Sequence, residues 1–362
     1  MNNTLHAVIM AGGRGARFWP RSREKMPKHL LDIISEETIL RETLNRISPI
    51  ISPDNVLIVT GLNHAEEVRK QAPEIPPENI IIEPMGKNTA PCIGLAALHI
   101  KKKSADGLMM VLPADHFIAD EKEFRRILAI AGEAARRDEY IITVGIKPTW
   151  PATGYGYLEL GEKEFTIKNE DVHHVLSVRE KPGATEAENL LRHGGFFWNS
   201  GIFVGKVSTF LKAIARWLPD LYSALASAEA ALITEHEGAA LKRVYASVTP
   251  VSFDYGVLEK AGNILLVKGD FGWSDVGSWD ALWDILPKDE MGNAVAGDSI
   301  FLGRDARNCL IHSPRKLVAL AGVKDLIVVD TKDALLICKR GASEEVRHIV
   351  DLLEEKKFKD YL

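Results

Sequence analysis

Short apolar runs that alternate with segments of helical periodicity constrain the fold of this chain more than any other feature. The alternation predicts βαβ units, and therefore an α/β fold with a mixed, mainly parallel sheet that helices cover on both faces. Ligands of such sheets bind beyond the carboxyl ends of the strands. The apolar runs are 7–10, 56–60, 80–83, 108–112 and 141–145, and the helical segments are 36–47, 89–103 and 122–137.

The chain changes character beyond Pro148. Segments 155–160 and 175–180 are typical of inserted or antiparallel strands, and 207–232 predicts one long helix. From about Asn293, strand-like segments at 298–302, 317–320, 326–330 and 334–338 follow one another without crossover helices, and an amphipathic helix at 343–356 closes this part. No fixed-period repeat is evident. We expect residues 1–288 to form the main domain and 289–362 a small β-rich C-terminal appendage that packs on it.

Composition and charge exclude several classes of partner. Hydrophobic residues make up 46% of the 362 residues, charged residues make up 26%, and the net charge is −5, which argues against a nucleic-acid or anionic-membrane partner. The N-terminus has no basic leader and no apolar run reaches membrane length, so we expect a cytoplasmic protein. Three scattered cysteines fit neither a disulfide framework nor a zinc site, and we interpret them as small buried hydrophobes.

A glycine-rich segment follows the first apolar run directly. Ala11, Gly12, Gly13 and Gly15 lead into Arg17, with Lys28 close behind. Glycines let backbone amides approach a ligand closely, and the cations favour a polyphosphate. A Walker loop is absent, and a dinucleotide-binding fingerprint would need glycine at position 18, where phenylalanine stands. The alternative is a glycine-rich βα turn with incidental basic residues.

Two carboxylates are candidates for metal binding. Asp115 follows a buried strand, where a carboxylate faces the ligand crevice, and Mg²⁺ prefers one or two carboxylates together with substrate phosphates. An aspartate at that position can equally cap a turn. Asp275, in the segment Trp273-Ser274-Asp275-Val276-Gly277, supplies a second carboxylate.

These motifs together resemble the sugar-1-phosphate nucleotidylyltransferase family. The run GGxGxR, the Pro three residues after its Arg, and Pro27-Lys28 match that family's signature, and Trp19-Pro20 is most similar to its mannose-1-phosphate guanylyltransferase branch. The resemblance implies a Rossmann-like nucleotidyltransferase domain. It also implies transfer from GTP to mannose 1-phosphate, giving GDP-mannose and pyrophosphate. Arg17 and Lys28 would then bind phosphates, and Asp115 and Asp275 would hold Mg²⁺.

The resemblance extends to the base and sugar subsites. Pro84, Asn88 and Thr89 match a segment that borders the nucleotide base, although Lys87 stands where the family commonly has Arg, and both Asn88 and Thr89 are adequate helix caps. For the sugar phosphate, the resemblance implies six residues. Taken singly, each has a structural alternative as strand packing, a solvated turn or an N-cap. They are Gly154, Tyr155, Glu180, Lys181, Asn199 and Asp254.

Several alternatives stay open from the sequence. The same motifs serve relatives that use UTP, dTTP, CTP or ATP with other sugar phosphates. A nucleotide-sugar sensor or regulatory subunit could keep the fold without the chemistry, whereas a dinucleotide oxidoreductase is disfavoured by Phe18 and the nearby cations. The appendage resembles the β-rich tail of short guanylyltransferases, so we expect no isomerase activity and a homodimer.

Overall fold

The computed structural model describes residues 4–13, 15–104, 107–314 and 316–362. The strands of its main sheet are β1 Leu5–Ala11, β2 Val56–Gly61, β3 Ile80–Glu83, β4 Leu108–Pro113, β6 Ile141–Ile146, β7 Tyr157–Ile167, β8 Glu170–Arg179, β9 Phe196–Lys206 and β10 Ile264–Gly269; a separate ladder pairs β5 Phe117–Ile118 with β11 Trp273–Ser274. Within the described residues the nine strands have the order β3-β2-β1-β4-β9-β6-β10-β8-β7, and only β8 and β9 run against the other seven. The predicted mixed, mainly parallel sheet is confirmed.

Helices cover both faces of this sheet. They are α1 Ile39–Ile47, α2 Ala65–Gln71, α3 Thr89–Lys103, α4 Glu121–Arg137, α5 Ala184–His193, α6 Val207–Trp217, α7 Pro219–Ala228 and α8 Glu237–Ser247. Two further helices, α9 Trp279–Ile285 and α10 Val346–Glu355, pack in a separate apolar core. Alternate β1 residues enter different cores: Ala7 and Ile9 pack with α1 and α4, while Val8 packs with α3 and the α6–α8 layer. Both faces are therefore apolar, which explains why the parallel strands read as continuous hydrophobic runs.

The single helix predicted over 207–232 was wrong. The chain forms α6 and α7 instead, with Leu218 between them in a non-helical conformation and Pro219 as the first residue of α7. Proline disfavours helical geometry at the preceding residue and suits a helix start, which accounts for the break. None of the helices in the described ranges is long and apolar enough to cross a membrane.

The C-terminal part is a stack of parallel strands. Its paired positions are separated by a nearly constant number of residues, which the sequence pattern did not reveal. Ala294 pairs with Leu310 and Ile300 pairs with Leu317, so equivalent positions recur 16 or 17 residues apart. The sequence shows no fixed-period repeat, since this spacing belongs to the strand pairing and varies by one residue. The strands are β12 Ala294–Ala296, β13 Ile300–Arg304, β14 Leu310–His312, β15 Leu317–Ala321, β16 Leu326–Asp330 and the antiparallel β17 Leu335–Lys339.

A third apolar core joins this stack to the segment that follows the glycine loop. Phe18 and Trp279 are fully buried there beside Leu310 and Val346. The appendage thus packs on the main domain, as expected. Cys92 and Cys309 are buried as predicted, while Cys338 is only half-buried.

Candidate active site

The glycine loop packs closely against Lys28. Gly15 adopts φ +62°, and a Cβ at that residue would lie 2.7 Å from the Lys28 Cβ. Gly13 also has a positive φ, while Gly12 is exposed and has open space around it. Glycine at position 15 is therefore required both for backbone conformation and for the approach of Lys28. Arg14 lies outside the described residues, and Ala11 is the buried last residue of β1.

The ammonium group of Lys28 joins the two predicted acidic segments. Its Nζ donates to Asp115 Oδ2 at 2.9 Å and to the backbone carbonyl oxygen of Asp275 at 2.5 Å. The short ladder between β5 and β11 holds the loops that carry the two aspartates side by side. Asp275 Oδ1 accepts from Tyr155 OH at 2.7 Å and from Gly277 N at 3.0 Å. The structure thus brings Lys28, Asp115 and Asp275 together from segments far apart in the chain.

Electrostatics keep the Asp115 carboxyl group ionised. Burial alone would raise the pKa of Asp115, but the Lys28 ammonium and neighbouring groups outweigh it and lower the pKa. His116 is different: burial lowers its pKa to about 4. Its Nδ1 accepts from Trp273 Nε1 at 3.1 Å, which agrees with a neutral imidazole. His116 therefore takes part in the packing of the site and adds no cation near neutral pH.

A cavity of about 470 Å³ opens over these groups. Gly15, Arg17, Lys28, Asp115 and Asp275 all line it. The donor set fits a Mg²⁺ ion bound by one or two carboxylates with the remaining ligands from phosphates and water. No cluster of three or more His, Cys, Asp or Glu side chains among the described residues offers a self-sufficient metal site. Any magnesium here would need the substrate to complete its coordination.

The predicted sugar-side residues form a second polar group. Asn199 Nδ2 donates to Asp254 Oδ1 at 2.7 Å, and Lys181 Nζ lies 3.1 Å from Glu180 Oε1. Burial, and then the nearby Glu180 carboxylate, raise the pKa of Asp254 to about 6. Glu180 lies so close to Gly156 that a Cβ there would be 2.5 Å from Glu180 Oε2. Gly154 is exposed and lies outside this polar group.

Aromatic side chains connect the two polar groups, and the sequence interpretation did not assign them this position. Tyr155 contacts Trp198 and Trp273 with ring centroids 5.0 and 5.2 Å apart, and Trp150 lies 6.0 Å from Tyr155. Since Tyr155 also donates to Asp275, it links the aromatic cluster to the acidic group. The presence of these four aromatic residues in the sequence is only a weak signal of a binding site, because packing in the protein interior would explain them equally well.

The predicted base segment lies apart from the cavity. Pro84, Asn88 and Thr89 follow β3, two strands away from β1, and are not among the residues around the cavity. Asn88 Oδ1 accepts from Thr89 N at 2.8 Å and caps α3, and Thr89 Oγ1 accepts from Phe253 N at 2.8 Å. Asn88 is therefore the N-cap of α3, which is the structural alternative for this residue. A role of these three residues in base recognition stays a prediction.

The C-terminal segment also reaches the cavity, which the sequence analysis missed. Arg347, Val350, Asp351 and Glu354 of α10 line it, and Arg17 Nε lies 2.5 Å from Glu344 Oε2, although the N–H is not directed for a hydrogen bond. No local pattern around residue 344 signals a contact with residue 17. Only the tertiary packing of the appendage brings them together.

Two family models match the chain. The nucleotidyl transferase model matches residues 6–292, and a model described as MannoseP isomerase/GMP-like beta-helix domain matches residues 301–353. The first covers well over half of the chain and contains the glycine loop, Lys28 and both aspartates. The chain therefore belongs to the nucleotidyl transferase family.

Individual relatives agree with this assignment. Mannose-1-phosphate guanylyltransferase from Klebsiella pneumoniae is 37% identical over 99% of this chain and 75% of its own length. Alginate biosynthesis protein AlgA from Pseudomonas putida is 36% identical over 96% of this chain and 71% of its own. A crystal structure described as mannose-1-phosphate geranyltransferase from Thermus thermophilus superimposes with a TM-score of 0.88 at 34% identity, over 97% of this chain and 99% of that one.

Proposed function

We propose that this protein transfers a guanylyl group from GTP to α-D-mannose 1-phosphate, giving GDP-mannose and pyrophosphate. The observation that carries the proposal is the convergence of Lys28, Asp115 and Asp275 on one cavity beside the glycine loop. Family membership supports the reaction type, and the relatives named for mannose-1-phosphate guanylyltransferase support this pair of substrates.

The proposed reaction is an in-line displacement at the α-phosphorus. A phosphate oxygen of the sugar phosphate attacks, and pyrophosphate leaves. The nucleophile is already anionic near neutral pH, so the protein needs no general base. Its contribution is alignment and charge neutralisation. We assign Arg17, Lys28 and the amides of Gly12, Gly13 and Gly15 to the nucleotide phosphates.

Asp115 and Asp275 would hold Mg²⁺, whose charge would offset that of the phosphates. On the sugar side, Lys181 would pair with the incoming phosphate, since its side chain is 59% exposed. Glu180, Asn199 and Asp254 would orient the hydroxyls; Asn199 and Asp254 are hydrogen-bonded to each other, and the Glu180 carboxylate lies nearby. Gly154 and Tyr155 would border this subsite, and Pro84, Asn88 and Thr89 the base.

The test is pyrophosphate release by the purified protein with Mg²⁺, using five nucleoside triphosphates against mannose 1-phosphate and glucose 1-phosphate. We expect release mainly with GTP and mannose 1-phosphate. Release with a different pair would replace the proposed base and sugar while leaving the reaction type. GDP-mannose binding without turnover under any condition would replace the enzyme by a nucleotide-sugar sensor.

We also propose a cytoplasmic homodimer that forms through the C-terminal strands. Ile300, Leu302 and Leu317 have exposed fractions of 64%, 62% and 54% and lie on the paired strands β13 and β15. Exposed apolar side chains that adjoin one another are typical of protein interaction sites.

Leu302→Glu would place a charge in this patch. We expect the mass measured by light scattering to fall from that of a dimer to that of a monomer. The control is Leu176→Glu, which changes a comparably exposed strand leucine on β8. A monomeric parent protein, or a dimer that survives Leu302→Glu, would argue against this interface.

A further inference from the structure

The turn Ser343–Glu345 and helix α10 meet the proposed phosphate site. Val346 is buried in the core that also contains Phe18, which fixes the start of α10 beneath the glycine loop. Arg347, Val350, Asp351 and Glu354 recur at helical spacing and line the cavity together with Lys28 and Asp115. One face of α10 is therefore a wall of the cavity.

Glu344 and Arg347 present opposite charges to this site. Glu344 lies against Arg17, the residue proposed to bind phosphate, and both side chains are substantially exposed. Arg347 is also exposed, and within the described ranges no carboxylate forms an ion pair with it. Among the residues described that line the cavity, Lys28 and Arg17 are each engaged by a carboxylate, whereas Arg347 is not.

We propose that this segment completes the nucleotide-phosphate site: Glu344 holds Arg17 when no nucleotide is bound and releases it to a phosphate, while Arg347 binds the same polyphosphate. The proposal rests on the function proposed above. An exposed ion pair of this kind is worth about 1 kcal/mol or less, so exchange is easy. Arg17 Nε lies beside Glu344 Oε2 without forming a hydrogen bond, whereas a phosphate can accept charge-assisted hydrogen bonds from the guanidinium, so polyphosphate displaces Glu344.

The test measures dissociation constants for GTP and for pyrophosphate, with Mg²⁺, on the full chain. Removing the competing carboxylate in Glu344→Gln is expected to tighten GTP binding about two- to fivefold, the range that a surface ion pair allows. Arg347→Gln is expected to weaken GTP and pyrophosphate binding about tenfold, without a change in KM for mannose 1-phosphate, because one charge-assisted contact is lost.

Two controls carry the same charge changes elsewhere on this segment. Glu345→Gln removes a carboxylate that pairs with His348, and Lys356→Gln removes an exposed cation beyond the end of α10. Neither should alter GTP binding. In an Arg17→Gln background, Glu344→Gln should no longer tighten binding, because the two residues act through each other.

Unchanged or weaker GTP binding in Glu344→Gln would overturn the exchange, and an Arg347→Gln variant that matches Lys356→Gln would overturn the phosphate contact. Dissociation constants do not depend on turnover. A parent protein that binds GTP but releases no pyrophosphate would therefore contradict the proposed reaction and still leave this inference fully tested. A parent that binds neither GTP nor pyrophosphate would overturn both.

Discussion

Lys28 is the residue on which the proposed chemistry depends most directly. Its side chain is 6% exposed, yet its ammonium group reaches Asp115 and the backbone of Asp275 at the edge of the cavity. A buried ammonium in this position is already desolvated and oriented before phosphate arrives. Such preorganised charge is more effective than a mobile surface lysine.

We predict that Lys28→Gln lowers kcat about 10²- to 10³-fold, the usual loss when one preorganised donor to a developing negative charge is removed. Steady-state kinetics and thermal unfolding should be measured together, because Asp115 also loses its partner. Lys25→Gln, an exposed neighbour, is the matched control. A variant that remained folded with the parent kcat would remove Lys28 from the proposed mechanism.

Sequence reasoning succeeded for side chains that follow strands of the parallel sheet. Asp115 and the glycine loop could be placed because strands β4 and β1 are neighbours and their carboxyl ends coincide. It failed for Glu344, Arg347 and the tryptophan cluster. Their contacts depend on how distant segments pack, and no spacing of residues within one segment encodes that packing.

At the scale of elements, the strand predictions succeeded because each strand of the parallel part is buried on both faces. The helical break before Pro219 was missed because apolar periodicity continues through it. The C-terminal stack was recognised as strands but not as a repeat. Its paired positions are separated by 16 residues in one case and 17 in another, and the residues at those positions differ.

The end of strand β3 contains a buried carboxyl group with a consequence for stability. Glu83 is 7% exposed, and its Oε1 accepts from Tyr245 OH at 2.8 Å. Burial raises its pKa to about 7, despite that hydrogen bond. The native state therefore binds this proton more tightly than the unfolded chain does, and its contribution to stability falls as pH rises from about 4.5 to 7.

We predict that Glu83→Gln flattens this slope, because the amide keeps the acceptor and cannot ionise. Relative to the parent, the variant should gain roughly 1 to 3 kcal/mol in free energy of unfolding between pH 5 and pH 8. Chemical denaturation at both pH values measures it. Glu78→Gln, an exposed change just before β3, should leave the slope as in the parent. Equal slopes in parent and Glu83→Gln would contradict the raised pKa.

At the scale of the whole molecule, the segment that follows the glycine loop is packed against the C-terminal part of the chain. Trp279 Nε1 donates to the backbone oxygen of Trp19 at 3.1 Å, and Trp19 Nε1 donates to the backbone oxygen of Tyr361 at 2.8 Å. The segment that follows the glycine loop thus contacts α9 and the C-terminal residues. Changes in the appendage should therefore affect nucleotide binding as well as stability.

Asp280 offers the sharpest test of this coupling. Its carboxylate accepts from Gly341 N at 2.8 Å and from Ser343 Oγ at 2.6 Å, so it holds the turn that precedes α10. Hydrogen bonds to a charged group contribute about 1.5 to 3 kcal/mol each at most, and Asp280→Ala should lower the free energy of unfolding by roughly 2 kcal/mol.

The same substitution should alter GTP affinity, because Glu344 lies in the released turn and Arg347 lies in the first turn of α10. Denaturant unfolding and GTP titration of Asp280→Ala measure the two effects, and Asp298→Ala, an exposed aspartate in the stack, is the control for each. Loss of stability with GTP affinity unchanged would mean that the appendage supports the fold alone. We expect Asp280→Ala to change both the free energy of unfolding and the GTP affinity, and Asp298→Ala to behave like the parent. The reason is that the turn sets the position of α10, and α10 lines the cavity.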